Sequence, residues 1–469
     1  MNEAGEVGRH TRRVLMGRAG AAAGIAGLLA ACGTAGAPQS APASLQDQKG
    51  NVVFYARSNA VENQGQTQVY LPTFKEAAPN VTVEHVISAP SEDYKEKLFA
   101  LWSSGDPPDV WGFGGNYYTY WARGMTADLT PLISRDKFDL NQFLPGLPDK
   151  FKVNGKQYGL PQLTTFGTLL SYNKKLFEEA GLKYPPADWE DKAWTVDRML
   201  EYAQKLTKNA GEASAVYGIT FEPYWPHDAT WWWGGDAFLP EHYKNSIAPE
   251  TRLDSPESIA VHQFAQDLRW KQHYSRRSGD ASVAAPGSDD FKSGREGMHI
   301  VGGWKFWDYS VVKDFGWGAA ALPLKASNKN PNYNDFWELS SQSKNRDAAW
   351  AFMKHLTSAE VQSKYSDLTG TPPTNKNAID TFYKKYEQIM PRADLEKVTQ
   401  GAIDPKRSVE SPDHTFIDFK TITDVYRKEV RDPILNNQGA ASQIIAKGKP
   451  AVDAQVKQIY DQWNGKLPK

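Results

Sequence analysis

Four tryptophans fall within nine residues, Trp225 and the run Trp231-Trp232-Trp233, among three carboxylates, Glu222, Asp228 and Asp236. Indole rings offer rigid apolar faces with a polar handle. Carboxylates accept hydrogen bonds from hydroxyl groups in non-catalytic sites. Glu222 paired with Asp228 or Asp236 could instead work as the two carboxyl groups of a glycoside hydrolase. At helical spacing the rings could all be core, but Pro223, Pro226 and Gly234-Gly235 exclude one continuous helix. A further ring, Trp304, follows Gly302-Gly303 at the end of an expected strand, where glycines let the backbone approach a ligand. The ordinary alternative is a core tryptophan.

Other chemistries find little support. There is no Gly-x-x-x-x-Gly-Lys-Ser/Thr loop, no Gly-x-Gly-x-x-Gly opening a helix, no His-Glu-x-x-His and no Gly-x-Ser-x-Gly. The nine histidines are scattered, so a metal site would have to be assembled by the fold alone. A net charge of -1 gives no electrostatic case for nucleic acid.

The sole cysteine, Cys32, rules out an intrachain disulfide. Upstream of it, Thr11-Arg12-Arg13-Val14-Leu15-Met16 is a twin-arginine pattern, and Ala19 to Ala31 is mildly apolar. That run is shorter than the roughly 20 residues of a spanning helix and suits a signal peptide. Leu29-Ala30-Ala31-Cys32 resembles a bacterial lipobox, in which the cysteine is lipidated and becomes the mature N-terminus. Residues 1–32 are therefore expected to be a signal peptide, and 33–50, rich in Ala, Pro, Ser and Gln, a flexible tether.

A chain of 469 residues calls for two lobes with separate cores. Val52 to Ala56, Val81 to Ile87 and the segment after Asp109 read as strands, with helices from Gln66 and from Tyr94 between them. That alternation predicts a mostly parallel sheet with helices on both faces. Ligands in such sheets sit beyond the carboxyl ends of the strands, which puts Ser58-Asn59 and the segment Phe113-Gly114-Gly115-Asn116-Tyr117 on the ligand side. Between Gly155 and Asn173 the chain reads as a strand, an irregular polar crossing from Gln162 to Thr168, and a strand opening a helix capped by Asn173.

The wording of that stretch is informative. Gly155-Lys156-Gln157-Tyr158-Gly159-Leu160-Pro161, then Tyr172-Asn173-Lys174-Lys175-Leu176-Phe177, resembles the extracellular solute-binding proteins of sugar-type ABC importers. So do Gly105-Asp106-Pro107-Pro108-Asp109-Val110, Phe291-Lys292-Ser293-Gly294 with Gly303-Trp304, and Ser343-Lys344-Asn345 leading into Ala348-Ala349-Trp350. The usual Gly-Gly before the last block is replaced by Asn334-Asp335-Phe336-Trp337, and Ala187 to Ala193 looks like an insertion.

The resemblance implies an α/β, two-lobed periplasmic-binding-protein-like fold of type II, similar to maltose-binding protein, with lobes joined by hinge crossings. Lobe 1 would comprise 51–165 plus 335–376, and lobe 2 166–334 plus 377–469. It also implies an inter-lobe cleft that binds a carbohydrate without turning it over and needs no cofactor. Glu222 and Tyr224 would contact the sugar, with one of Trp231, Trp232 and Trp233, and Trp304 would stack on it. Asn59, Phe113, Asn116, Tyr117, Thr164, Thr165 and Asp236 complete the expected contacts. The partners would be an ABC permease and the outer face of the cytoplasmic membrane, held through the lipid on Cys32. Two other readings are a secreted glycoside hydrolase and a surface adhesin or scaffold lipoprotein.

Overall fold

A computed structural model describes residues 44–89, 93–112, 115–221, 230–281 and 289–468. Two main sheets carry the described chain, one of five strands and one of four. In the first, Gly50–Ala56 lies between Val81–Ile87 and Val110–Trp111, all parallel. Asn334–Leu339 runs antiparallel beside Val110–Trp111, and Gly159–Thr164 pairs antiparallel with it on the far side. Pro161 thus stands on an edge strand at a register shift, where a missing N–H costs no ladder bond.

The second sheet places Thr168–Asn173 between Trp317–Ala320 and Glu296–Gly302, antiparallel to both, with Tyr217–Thr220 parallel to Glu296–Gly302. The sheets are therefore mixed: the expected parallel strands are present, and each lobe adds strands of opposite direction where the chain crosses back.

These directions decide which edge of each sheet faces the crossings. In the first sheet Ala56, Ile87, Trp111 and Thr164 all end on the edge where the chain leaves. In the second, Thr168 enters on the edge where Thr220, Gly302 and Ala320 end. Both sheets thus turn their carboxyl edges toward the same crossings.

The first crossing, between Thr164 and Thr168, and the second, 330–333 leading into Asn334–Leu339, are tied together. Thr165 donates its N–H and its hydroxyl to the Tyr333 carbonyl, both at 3.2 Å. Asn330 accepts from the Thr168 N–H at 2.7 Å and donates to the Phe166 carbonyl at 3.3 Å. The first crossing turns on two successive left-handed residues, Phe166 (φ 55) and Gly167 (φ 69). A short strand, Ser408–Glu410, runs parallel to Asn330–Asn332, so the late chain returns beside the second crossing.

Each sheet has its own core. Phe54, Val110, Leu160, Trp337, Phe352 and Met353 belong to the first; Leu170, Met199, Ile219, Leu268, Met298 and Phe382 belong to the second. The sequence signals at helix starts are present: Asn173, Thr195 and Ser255 each accept an N–H three residues on, at 3.2 Å. A third cluster joins Tyr117, Phe151 and Phe336 to Phe238 and to Phe416, Tyr426, Val430 and Val456 of the C-terminal helices. Among the described residues no helix is long and apolar enough to cross a membrane.

Candidate functional site

A cavity of about 560 Å³ opens on the carboxyl edge of the second sheet. Thr220-Phe221 and Val301-Gly302 bring strand ends to it, Trp304 and Tyr333 line it beside the crossings, and Trp232 contributes a ring. Trp304 is half-buried and stands edge-on to Tyr333, with ring centroids 5.3 Å apart. Trp232 is stacked on Phe221 at 5.7 Å and donates its indole N–H to the Lys329 carbonyl at 3.0 Å.

The glycines before Trp304 act differently from the expectation. A Cβ on Gly302 would lie 1.8 Å from the Trp304 ring, and one on Gly303 would lie 1.8 Å from the Thr165 carbonyl oxygen. They make room for the protein's own indole and for the first crossing rather than for a ligand's approach.

The polar lining is built from paired charges. Arg276 Nε meets Asp290 at 2.6 Å, and Lys305 meets Asp289 at 2.9 Å. Burial opposes the ionised form of Asp289, but the bonds from Lys305 and from the Lys292 N–H outweigh it and hold the carboxyl below its usual range. Arg269 lies on the helix Pro256–Trp270 and donates to the Phe221 carbonyl at 3.1 Å, which fixes the strand end. His299 approaches Glu296 at 3.6 Å and shares a 2.9 Å bond with Tyr309.

Opposite, the carboxyl edge of the first sheet carries a second polar group. Asn116 is left-handed (φ 64) and buried, donates its N–H to the Asp413 carbonyl at 3.3 Å, and leaves Oδ1 without a partner among the described residues. Asp413 Oδ1 is buried and likewise has no partner among the described residues. Lys95 lies 3.5 Å from where a Gly115 Cβ would stand, and burial lowers its pKa despite Asp413 and Asp93 nearby. Arg57 pairs with Glu62 beside Asp335. His414 accepts the Asn334 N–H on Nδ1 at 3.2 Å, which leaves Nε2 toward Asp413 at 3.6 Å.

The expected site residues divide. Trp232 and Trp304 share the cavity. Asn116 sits in the opposite polar group. Trp231 is buried and bonds Asp236 at 2.7 Å, and Trp233 packs on Phe264 at 5.1 Å; neither lines the cavity. Asp236 also accepts from Tyr243 at 2.7 Å and from the Phe238 N–H at 3.1 Å, so it locks its own loop, and burial raises its pKa against those bonds. Asn59 spends its side-chain oxygen capping a helix, at 3.1 Å from the Val61 N–H. Thr164 and Thr165 are buried and bonded within the crossing, and Tyr117 sinks its ring onto Phe151 while its hydroxyl reaches Glu410 at 3.1 Å. Phe113, Glu222 and Tyr224 lie outside the described residues, as does Cys32. Tyr333, Arg269, Lys95 and Asp413 were not anticipated. Arg269 had a signal: it follows Ala265 by four residues on the apolar face of its helix.

Residues 70–391 match the family model of the bacterial extracellular solute-binding proteins. The chain belongs to that family. The solute-binding protein is 24% identical over 369 residues to the multiple sugar-binding protein of Streptococcus mutans, covering 74% of this chain and 79% of that one. It is 24% identical over 339 residues to a putative binding protein of Brucella abortus, with 70% and 78% covered. An ABC substrate-binding protein of Listeria monocytogenes, solved with cycloalternan, superposes with a TM-score of 0.73 at 23% identity, over 87% of this chain and 99% of the other. The maltose-bound MalE3 of T. maritima gives a TM-score of 0.67 at 21% identity, over 86% and 99%. The solute-binding protein therefore has the two-lobed fold of these structures and, by family, an extracytoplasmic, non-enzymatic binding role.

Proposed function

We propose that this protein is the substrate-binding component of an ABC importer and that its ligand is a carbohydrate held between the lobes. The observation that carries this is the half-buried Trp304 indole, set against Tyr333 in a cavity whose lining also includes carboxylates paired with Arg276 and Lys305. A flat ring covers the apolar face of a pyranose, and the ion pairs around it both donate to and accept from hydroxyls. The sugars bound by the Listeria and T. maritima proteins, and the name of the S. mutans relative, support the same class.

The moving bodies in this reading are 51–165 with 335–376, and 166–334 with 377–469. Ligand contacts to both would favour the closed state, a population shift driven by differential contacts. The expected 33–50 tether is shorter at its far end, because Leu45–Asp47 forms a 3₁₀ turn with Leu45 packed on the first core and Gly50 opens a strand. Cys32, once lipidated, would hold the protein at the membrane through the residues before that turn and present it to the permease. Acyl mass on an exported Cys32→Ala variant would end the anchoring reading.

The decisive experiment is a thermal-shift screen of the tail-deleted protein against mono- and oligosaccharides. A ligand at 100 times its dissociation constant should stabilise by about 2.7 kcal/mol. A hit confined to amino acids, peptides or polyol phosphates would overturn the carbohydrate class.

A further inference from the structure

We propose that His414 is a proton-controlled tie on the second crossing, so that the protein holds its ligand while this ring is neutral and releases it as the ring takes up a proton. Control of release in this way does not depend on which solute is bound. His414 lies in the short helical turn Pro412–Thr415, and its buried ring stands edge-on to Tyr333 and to Tyr117, 5.7 Å from each. Its Nδ1 accepts the N–H of Asn334, a fully buried residue that opens the strand after the crossing, at 3.2 Å.

The segment that carries His414 runs along the same crossing. Ser411 donates its N–H to the Asn332 carbonyl at 3.1 Å, and Glu410 accepts from the Asn334 side-chain amide at 3.0 Å. Tyr333 leads from the imidazole to Trp304 in the cavity and, through its carbonyl, to Thr165 of the first crossing. One ring thus touches the chain that any movement about the crossings must turn, which makes His414 a positioning residue for the site.

The bond from Asn334 exists only while Nδ1 carries no proton. A charged imidazole has two N–H donors and no acceptor, so its Nδ1–H would face the Asn334 N–H, donor against donor. The charged ring has other destinations: Glu410 Oε1 lies 3.7 Å from Nδ1, and Asp413 Oδ2 lies 3.6 Å from Nε2. Around them stand Asp335 from the strand Asn334–Leu339, the rings of Tyr117 and Tyr333, Lys150 at 3.6 Å from Glu410, and Lys95 from helix Tyr94–Ser103, which shares with His414 the space beside Gly115. Burial works against a charge on His414, but Asp413, Glu410 and Asp335 outweigh it and raise its pKa above the ordinary 6.5. The ring is therefore charged below a changeover in the neutral range and neutral above it. Because the folded protein favours the charged form, acidification through that pH costs no stability at His414. It frees the crossing without unfolding the chain.

Amide hydrogen exchange of the whole protein at about pH 8 and pH 6, corrected for intrinsic rates, tests the tie without a ligand. The peptide carrying Asn334 should lose protection at the lower pH. That loss should be absent in His414→Asn, whose side-chain oxygen takes the place of Nδ1 and stays unprotonated. If circular dichroism shows that this variant does not fold, Glu410→Gln serves instead: it removes a carboxylate that favours the charged ring and should move the loss of protection to lower pH. Isothermal titration with maltotriose and with mannotriose reads the consequence. With a pKa above 6.5 no more than about a quarter of the rings are neutral at pH 6, so affinity there should be at least about fourfold weaker than at pH 8. In His414→Asn that ratio should fall toward one, whereas any pH dependence supplied by His299 or Lys95 would survive the substitution. Equal protection of Asn334 at both pH values, an unmoved transition in Glu410→Gln, tighter binding at pH 6, or an unchanged ratio in His414→Asn would each overturn the tie. Failure of both sugars to bind would count against the carbohydrate reading alone, since the exchange result still decides the tie.

Discussion

Trp304 and Tyr333 meet edge to face, 5.3 Å between ring centroids with planes at 75°, and they join the end of strand Glu296–Gly302 to the second crossing. Tyr333 in turn stands edge-on to His414 at 5.7 Å and accepts two bonds on its carbonyl from Thr165. One aromatic contact therefore links the cavity, both crossings and the returning C-terminal segment.

Trp304→Ala should weaken carbohydrate binding by about 2 kcal/mol, roughly thirtyfold, and should cost the apo protein much less than the roughly 3–5 kcal/mol of a core tryptophan truncation, because the ring is only half-buried. Gly302→Ala offers an independent check, since its Cβ would fall 1.8 Å from the Trp304 ring and must displace it. Affinity should fall as in Trp304→Ala although the indole is still present. Calorimetry beside urea unfolding separates the outcomes: normal binding with several kcal/mol of lost stability would make Trp304 a core residue.

Lys95 supplies the second prediction. It sits among Asp413, Asp93, Arg57 and Asp335, forms no ion pair with another described residue, and has its pKa lowered by burial. Lys95→Met keeps the stem and removes the charge. Binding should weaken about tenfold or more, the loss of one hydrogen bond to a charged group, while unfolding in urea should show equal or slightly greater stability. Unchanged affinity would remove Lys95 from the site.

The strand edges, the first crossing and the place of Trp304 just past a strand end were legible because strand ends and cap residues leave local marks; the glycines before Trp304 were misread, since they make room for the indole and the first crossing. Which of three adjacent tryptophans faces the cavity was not legible. Thr230–Trp233 forms a 3₁₀ turn, and at three residues per turn successive side chains point about 120° apart. Trp231 accordingly turns to Asp236, Trp232 to Phe221 and the cavity, and Trp233 to Phe264. Ser408–Glu410 and His414 were hidden for another reason: a three-residue strand has no measurable period, and its partner, Asn330–Asn332, lies far away in sequence.

The third prediction concerns acid. His262 is fully buried, its Nδ1–H donating to the Ser258 carbonyl at 2.7 Å and its Nε2 accepting from the Tyr426 hydroxyl at 2.7 Å. The Nε2 bond requires the neutral ring, and burial pushes its pKa down to about 4 although the Ser258 bond favours the charged form. The unfolded chain takes up a proton near pH 6.5 while the native one does not. Stability should therefore be level above that pH and fall as the pH drops toward 4. Between pH 7 and pH 5 this residue should cost about 2 kcal/mol. Urea midpoints across that range should show a shallower fall in His262→Gln, and an identical slope would assign the acid sensitivity elsewhere.

The last prediction tests the pivot. Phe166 and Gly167 both hold positive φ in the first crossing, and Gly167 lies against the second: a Cβ there would fall 2.5 Å from the Asn330 amide nitrogen and 2.6 Å from the Pro331 carbonyl oxygen. Gly167→Ala meets two penalties, the left-handed conformation at about 1–2 kcal/mol and a steric push between the crossings. If the lobes close by rotation about this point, carbohydrate should lower the radius of gyration of the parent protein in solution scattering. In the variant the same ligand should produce a smaller change and bind more weakly, because the crossings can no longer approach as the closed state requires. Trp304→Ala makes the useful contrast, since it removes a contact without touching the pivot: at saturating ligand it should still compact fully. Full compaction and parent affinity in Gly167→Ala would place the pivot elsewhere in the chain.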